Sequence, residues 1–161
     1  MVWRMVGLCA MLVMGVVFVG AGRAGTGPAT AQAKAGEAFF EERIAPVLKN
    51  ECFPCHHATT PVSSYEGGLL LDSLEGMLKG GDSSEPAIVP GDATKGTLMP
   101  AIRYSYVEEK GKKKRNMPPK WGKNRELGGK LGEKVIADFE KWIRDGAVTP
   151  EGFRKKRELK F

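Results

Sequence analysis

The five residues Cys52-Phe53-Pro54-Cys55-His56 restrict this chain more tightly than any other feature of it. They form the C-x-x-C-H pattern of covalent haem attachment. Two thiols at that spacing can each add to one vinyl group of a haem, and the imidazole directly behind them is then held at the iron as its proximal ligand. Three other chemistries use paired cysteines. A disulfide is the default for an isolated pair in an exported protein, but it leaves the histidine without a role. A thioredoxin-like redox pair wants a strand before it and a helix after it. A zinc site takes four ligands, normally from two separated pairs, and the only further Cys or His nearby is His57, beside His56. The haem reading uses every residue of the motif and is preferred.

The N-terminal residues agree with it. Arg4 precedes an apolar run from Met5 to Val19 that gives way to small residues, which reads as a signal peptide over residues 1–31, cut after Ala29-Thr30-Ala31. Gly22-Arg23-Ala24 is a second candidate cut. Covalent haem attachment of this type takes place outside the cytoplasmic membrane, so a periplasmic or otherwise extracytoplasmic location is expected. The apolar run is shorter than the ~20 residues of a transmembrane helix; left uncleaved, it would be a membrane anchor. Cys9 lies inside the run and reads as an apolar filler.

Arg4 and Arg23 are the leader's only charges, so removing it lowers the formal charge of the 161-residue chain from +6 to about +4. The remainder is one domain's worth of chain, expected over residues 32–148 and followed by a basic tail over 149–161. A domain of this size buries about two-thirds of the surface its unfolded chain exposes. A cross-link or cofactor would help it.

Two apolar stripes flank the motif in sequence. From Ala35 to Asn50, Phe40, Ile44, Val47 and Leu48 recur at helical spacing, and Pro46 should kink or divide that helix. Val135, Ile136, Phe139, Trp142 and Ile143 form one face of a second helix, with Gly146 placed to stop it. These two helices are expected to pack on each other. Between them, Gly67 to Asp72 reads as a turn into a short apolar segment. Ser73 is placed to cap a short helix through Met77, and Ile88 to Asp92 is a turn before a short helix reaching about Tyr104. No strand alternation is evident, so the expected class is all-α.

The iron's second axial ligand follows by elimination. The chain has two histidines, and His57 is tied to the proximal side by its neighbour, which excludes bis-histidine ligation. Methionine or lysine is left. Met77 and Met99 fall in helical patterns and read as core, whereas Met117 sits in Asn116-Met117-Pro118-Pro119, where two prolines fix the backbone and remove two donors. Met117 is therefore the expected distal ligand. Lys114 or Lys120 could substitute, but an ammonium must first lose a proton. Trp142, Phe139, Leu69, Leu71 and Ile102 are expected to exclude water from the macrocycle.

The order of these motifs resembles the planctomycete-type cytochrome c domain, a branch of the small cytochrome c fold. The residues that carry the likeness are Phe39-Phe40-Glu41, Ile44-Ala45-Pro46-Val47-Leu48, Cys52 to His56, Gly67-Gly68-Leu69, Leu71-Asp72-Ser73, Lys79 to Ser83, Ile88 to Asp92 and Met117-Pro118-Pro119. The closing helix, Ile136 to Ile143 with Gly146-Ala147, is similar as well, so the likeness runs over about residues 37–148. It implies an all-α fold with N- and C-terminal helices packed together around a covalently bound haem. It also implies one haem c per chain on Cys52 and Cys55, with His56 proximal and Met117 distal. The stretch from Trp121 to Gly129 looks longer than the family's usual link. In this family the module often leads a much larger secreted protein; here nothing of domain size follows it, and a free-standing cytochrome is expected.

The expected function is single-electron carriage by outer-sphere transfer, not enzymatic catalysis. A haem-based catalyst or gas sensor, peroxidase-like for example, needs a displaceable sixth ligand; Met117 and the lack of a further histidine argue against it. Between Lys110 and Arg125 stand eight basic residues and no acidic one. This run brackets Met117 and could steer an acidic redox protein, or be a solvated loop. Nucleic acid is not favoured, since aromatics are not interleaved with the charges. The basic tail, with Phe153, Leu159 and Phe161, could touch a membrane surface or a partner.

Overall fold

The computed structural model describes residues 28–60, 67–106, 115–119 and 129–154. The leader up to residue 27, most of the basic run, residues 121–128 and the tail from 155 lie outside the described residues.

The chain is helical from Pro28 to His56, with changes of winding along the way. Helix α1 (Pro28–Phe39) passes into a π turn (Phe40–Ile44), then α2 (Ala45–Val47), a second π turn (Leu48–Cys52) and α3 (Phe53–His56). Pro46 and Pro54 are the reason a plain α-helix fails here: neither has an N–H to give, and each ring collides with the carbonyl four residues back. The π turns carry the ladder one residue further, Ala45 N–H donating to Phe40 O and Phe53 N–H to Leu48 O. The expected division at Pro46 is thus a change of pitch, and the helical path goes on to the motif. Phe40, Ile44 and Leu48 are buried along it, and Val47 is half-buried.

Helix α6 (Glu133–Arg144) buries Ile136, Phe139, Trp142 and Ile143, while Val135 stays half-buried. It packs on the first π turn: the Phe40 and Trp142 ring centroids lie 5.6 Å apart. The Arg43 guanidinium donates to Asp138 Oδ2 from Nε at 3.0 Å and Nη2 at 2.6 Å. Burying each such aromatic stabilises the fold by about 1.5–3 kcal/mol. Gly146 stops α6 at φ 97°, with its N–H on Ile143 O at 3.0 Å and Ala147 N–H on Trp142 O at 2.8 Å. Those two bonds are a Schellman motif.

Two short helices complete the core. The Ser73 hydroxyl accepts from Gly76 N–H at 3.1 Å and opens α4 (Leu74–Lys79). Ala87 N–H donates to Met77 O at 2.7 Å and Leu98 N–H to Ala87 O at 2.9 Å, lacing α4 to α5 (Leu98–Ile102) through an extended segment. Helix α5 is shorter than the expected run to Tyr104, whose φ is 60°. Met77, Ile88 and Met99 are enclosed between these elements. The chain stays packed past Val148: Thr149 is buried, and α7 (Glu151–Arg154) sets Phe153 against Phe40 at 4.7 Å between centroids. The described residues contain no strand, and no helix among them is long and apolar enough to cross a membrane.

Candidate haem site

The second π turn and α3 present the motif. Cys52 ends the turn and packs against the core, whereas Cys55, one residue from the end of α3, is exposed. The two are not joined in a disulfide. Burial pushes the Cys52 thiol up to about 12, and the charges of Glu51 and Cys55 push the same way. A redox-active pair needs the opposite, a thiol drawn below its ordinary value, so the environment of Cys52 does not suit thioredoxin-like exchange. Among the described residues, no group of three or more His, Cys, Asp or Glu side chains is placed to hold a metal ion.

His56 is oriented by the segment that follows the Gly67-Gly68 turn. Its Nδ1 lies 3.0 Å from Leu69 O. A carbonyl only accepts, so Nδ1 carries the proton and Nε2 is the lone-pair nitrogen, the tautomer that a metal-ligating imidazole uses. Leu71 N–H donates to His56 O at 2.9 Å, and Ala58 N–H donates to Asp72 Oδ2 at 2.9 Å. Residues 69–72 therefore fasten residues 56–58 at three points. His57 is turned elsewhere, with Nδ1 2.8 Å from Thr59 Oγ1 and Nε2 3.8 Å from Asp72 Oδ2.

The Met117 segment is held by a different part of the chain. Met117 N–H donates to Ala101 O at 3.0 Å, and the Tyr104 hydroxyl donates to Pro118 O. The Met117–Pro118 peptide is cis, Pro118 is buried and Met117 is half-buried. Met77 and Met99 are 0% and 1% exposed, so their thioethers are surrounded by protein and leave no room for iron, as expected of core residues. Met117 is the one methionine among the described residues with an open side chain. Lys114 and Lys120 fall outside the described residues. Of the side chains expected to shield a macrocycle, Trp142, Phe139, Leu71 and Ile102 are buried in the core, and Leu69 is half-buried.

Sequence reasoning missed the Leu69 carbonyl and the fastening role of Asp72. A backbone acceptor has no side-chain signature, and the Gly67-Gly68 turn was the available signal that the chain doubles back on the motif.

The donor set suits a covalently held haem: two unpaired thiols on one helical path, and an adjoining imidazole locked in the ligating tautomer. A helical chain so equipped, with an anchored Met-Pro-Pro loop, has the make-up of a small c-type cytochrome. Residues 52–120 match the family model described as Planctomycete cytochrome C. The match starts at the first motif cysteine and includes Met117; α1 and α6 lie on either side of it. No curated protein and no solved structure matches the chain. A match to a cytochrome c domain implies covalent haem c and, in general terms, a haem-based electron carrier.

Proposed function

We propose that the protein is an exported cytochrome with one haem c per chain, bound through thioethers to Cys52 and Cys55, with His56 and Met117 as axial ligands. The observation that carries this reading is the hydrogen bond from His56 Nδ1 to Leu69 O inside an intact C-x-x-C-H motif. When bound, a haem supplies an iron whose ferrous–ferric couple holds and releases one electron.

The chain's own residues keep that exchange fast. Cys52 and Cys55 hold the macrocycle edge against the helical path, so it cannot dissociate between partners. The Leu69 carbonyl fixes the plane of the His56 ring and increases its basicity. Met117 offers a neutral thioether from a loop whose backbone is tied to α5, and such a ligand raises the potential relative to harder donors. Ligands held on both sides need little rearrangement when the charge changes. The buried cluster of Phe139, Trp142, Leu71 and Ile102 keeps water out behind the site. The basic residues from Lys110 to Arg125, which bracket Met117 in sequence, would attract an acidic redox protein.

The test is the optical spectrum of purified ferrous protein before and after carbon monoxide. The native protein should stay unchanged over the seconds in which Met117→Ala binds the gas. Rapid binding by the native protein would instead favour a gas sensor or haem catalyst with a displaceable sixth ligand.

A further inference from the structure

A thioether is a weak, uncharged ligand, so its hold on iron depends on how firmly the protein backbone presents it. The Met117 loop is fixed by a side chain next to the ligand. Asn116 Oδ1 accepts from Tyr106 N–H at 3.0 Å, and Asn116 Nδ2 donates to Tyr106 O at 3.0 Å. Both polar ends of one amide are thus matched to both backbone groups of one residue, which fixes translation and rotation together. Tyr106 is itself pinned, its hydroxyl donating to Thr97 O at 3.1 Å just before α5. Met117 N–H is tied to Ala101 O within α5, a helix that buries Leu98, Met99, Ala101 and Ile102. With the Tyr104 hydroxyl on Pro118 O, the loop is referenced to the rigid core through three routes, and Asn116 closes the one that adjoins Met117 on its N-terminal side.

We infer that Asn116 is the positioning residue of the distal ligand, holding the Met117 thioether in place through its paired hydrogen bonds to the Tyr106 backbone. This rests on Met117 being the distal ligand. The residue type fits the task. Alanine supplies neither bond, and aspartate keeps the acceptor for Tyr106 N–H while setting a carboxylate oxygen against Tyr106 O. Losing both bonds should raise the population with the thioether detached by about tenfold to a hundredfold.

The experiment compares mature, haem-loaded wild type, Asn116→Ala, Asn116→Asp, Met117→Ala and Arg43→Met. The readouts are the carbon monoxide association rate of the ferrous protein and the thioether-to-iron charge-transfer band of the ferric protein. Arg43→Met breaks the bond to Asp138 far along the chain, and it controls for simple loss of stability. Asn116→Ala is expected to accelerate gas binding at least about tenfold and to weaken the band, with Asn116→Asp intermediate and Arg43→Met like wild type. Should Asn116→Ala fail to mature, Asn116→Asp carries the comparison alone. Wild-type behaviour in both Asn116 variants, while Met117→Ala opens the iron, overturns the positioning role and leaves the ligand assignment standing. An unaltered band in Met117→Ala overturns the ligand assignment itself.

Discussion

Replacing Gly80 by alanine should be among the most damaging single-methyl additions this fold can receive. Gly80 ends α4 at φ 76° and ψ −173°, backbone angles open essentially to glycine alone. A Cβ built there would stand 1.9 Å from Glu85 O and 2.7 Å from the Glu85 carbonyl carbon. Those atoms cannot yield easily, because Ala87, two residues on, is bound to Met77 O at 2.7 Å. Conformational strain of about 1–3 kcal/mol and overpacking of about 1–3 kcal/mol add to roughly 2–6 kcal/mol. Gly146 is the internal comparison: its φ is also positive, 97°, but a Cβ there meets nothing within 4 Å. Gly146→Ala should therefore cost only the backbone term, about 1–2 kcal/mol. At about 4 °C per kcal/mol for a domain of this size, thermal unfolding of the haem-loaded variants by circular dichroism should show losses of roughly 8–24 °C and 4–8 °C. Equal losses would show that the close approach at Glu85 is not a constraint.

Three further outcomes are expected. In leaderless chain prepared without haem, a maleimide at pH 8 should modify Cys55 and largely spare Cys52, whose thiol is held protonated by a value raised to about 12; equal rates would refute this. Because the native value lies above the ordinary 9.0, Cys52 supports that fold fully below pH 9 and loses its contribution as the pH climbs towards 12. If the basic run from Lys110 to Arg125 steers an acidic partner, the bimolecular electron-transfer rate should fall steeply as ionic strength rises, by about tenfold or more from low to high salt. A flat dependence removes the steering role.

What the sequence made legible was whatever repeats along a side-chain face. The five apolar positions of α6, the Ser73 cap and the glycine stop at Gly146 all act locally, and each stands in the structure as expected. Met77 and Met99 were readable as core for the same reason, which left Met117 as the candidate. Backbone partners were not legible. Nothing in the letters says that Leu69 offers its carbonyl to His56, or that Asn116 pairs with Tyr106, because these depend on how distant segments meet. Phe153 was read as part of a basic tail. Its packing on Phe40 comes from a four-residue helix too short to show any period. Pro46 gave a true warning of irregularity, but a proline does not announce which way the helix will adapt.

That adaptation decides where the motif points. Phe40, Ile44, Leu48, Cys52 and His56 recur every four residues. On a regular helix with 3.6 residues per turn, each such step drifts by ~40°, so His56 would finish ~160° around the axis from Phe40. The wider windings on either side of Pro46 take up an extra residue each and turn the path back against that drift. Cys52 accordingly reaches the side already occupied by Leu48, and His56 comes within reach of Leu69. The irregular stretch works as a phase corrector, and deleting one residue between Phe40 and Cys52 would turn the Cys52 thiol away from Leu48 and the imidazole away from Leu69 while leaving both in the sequence.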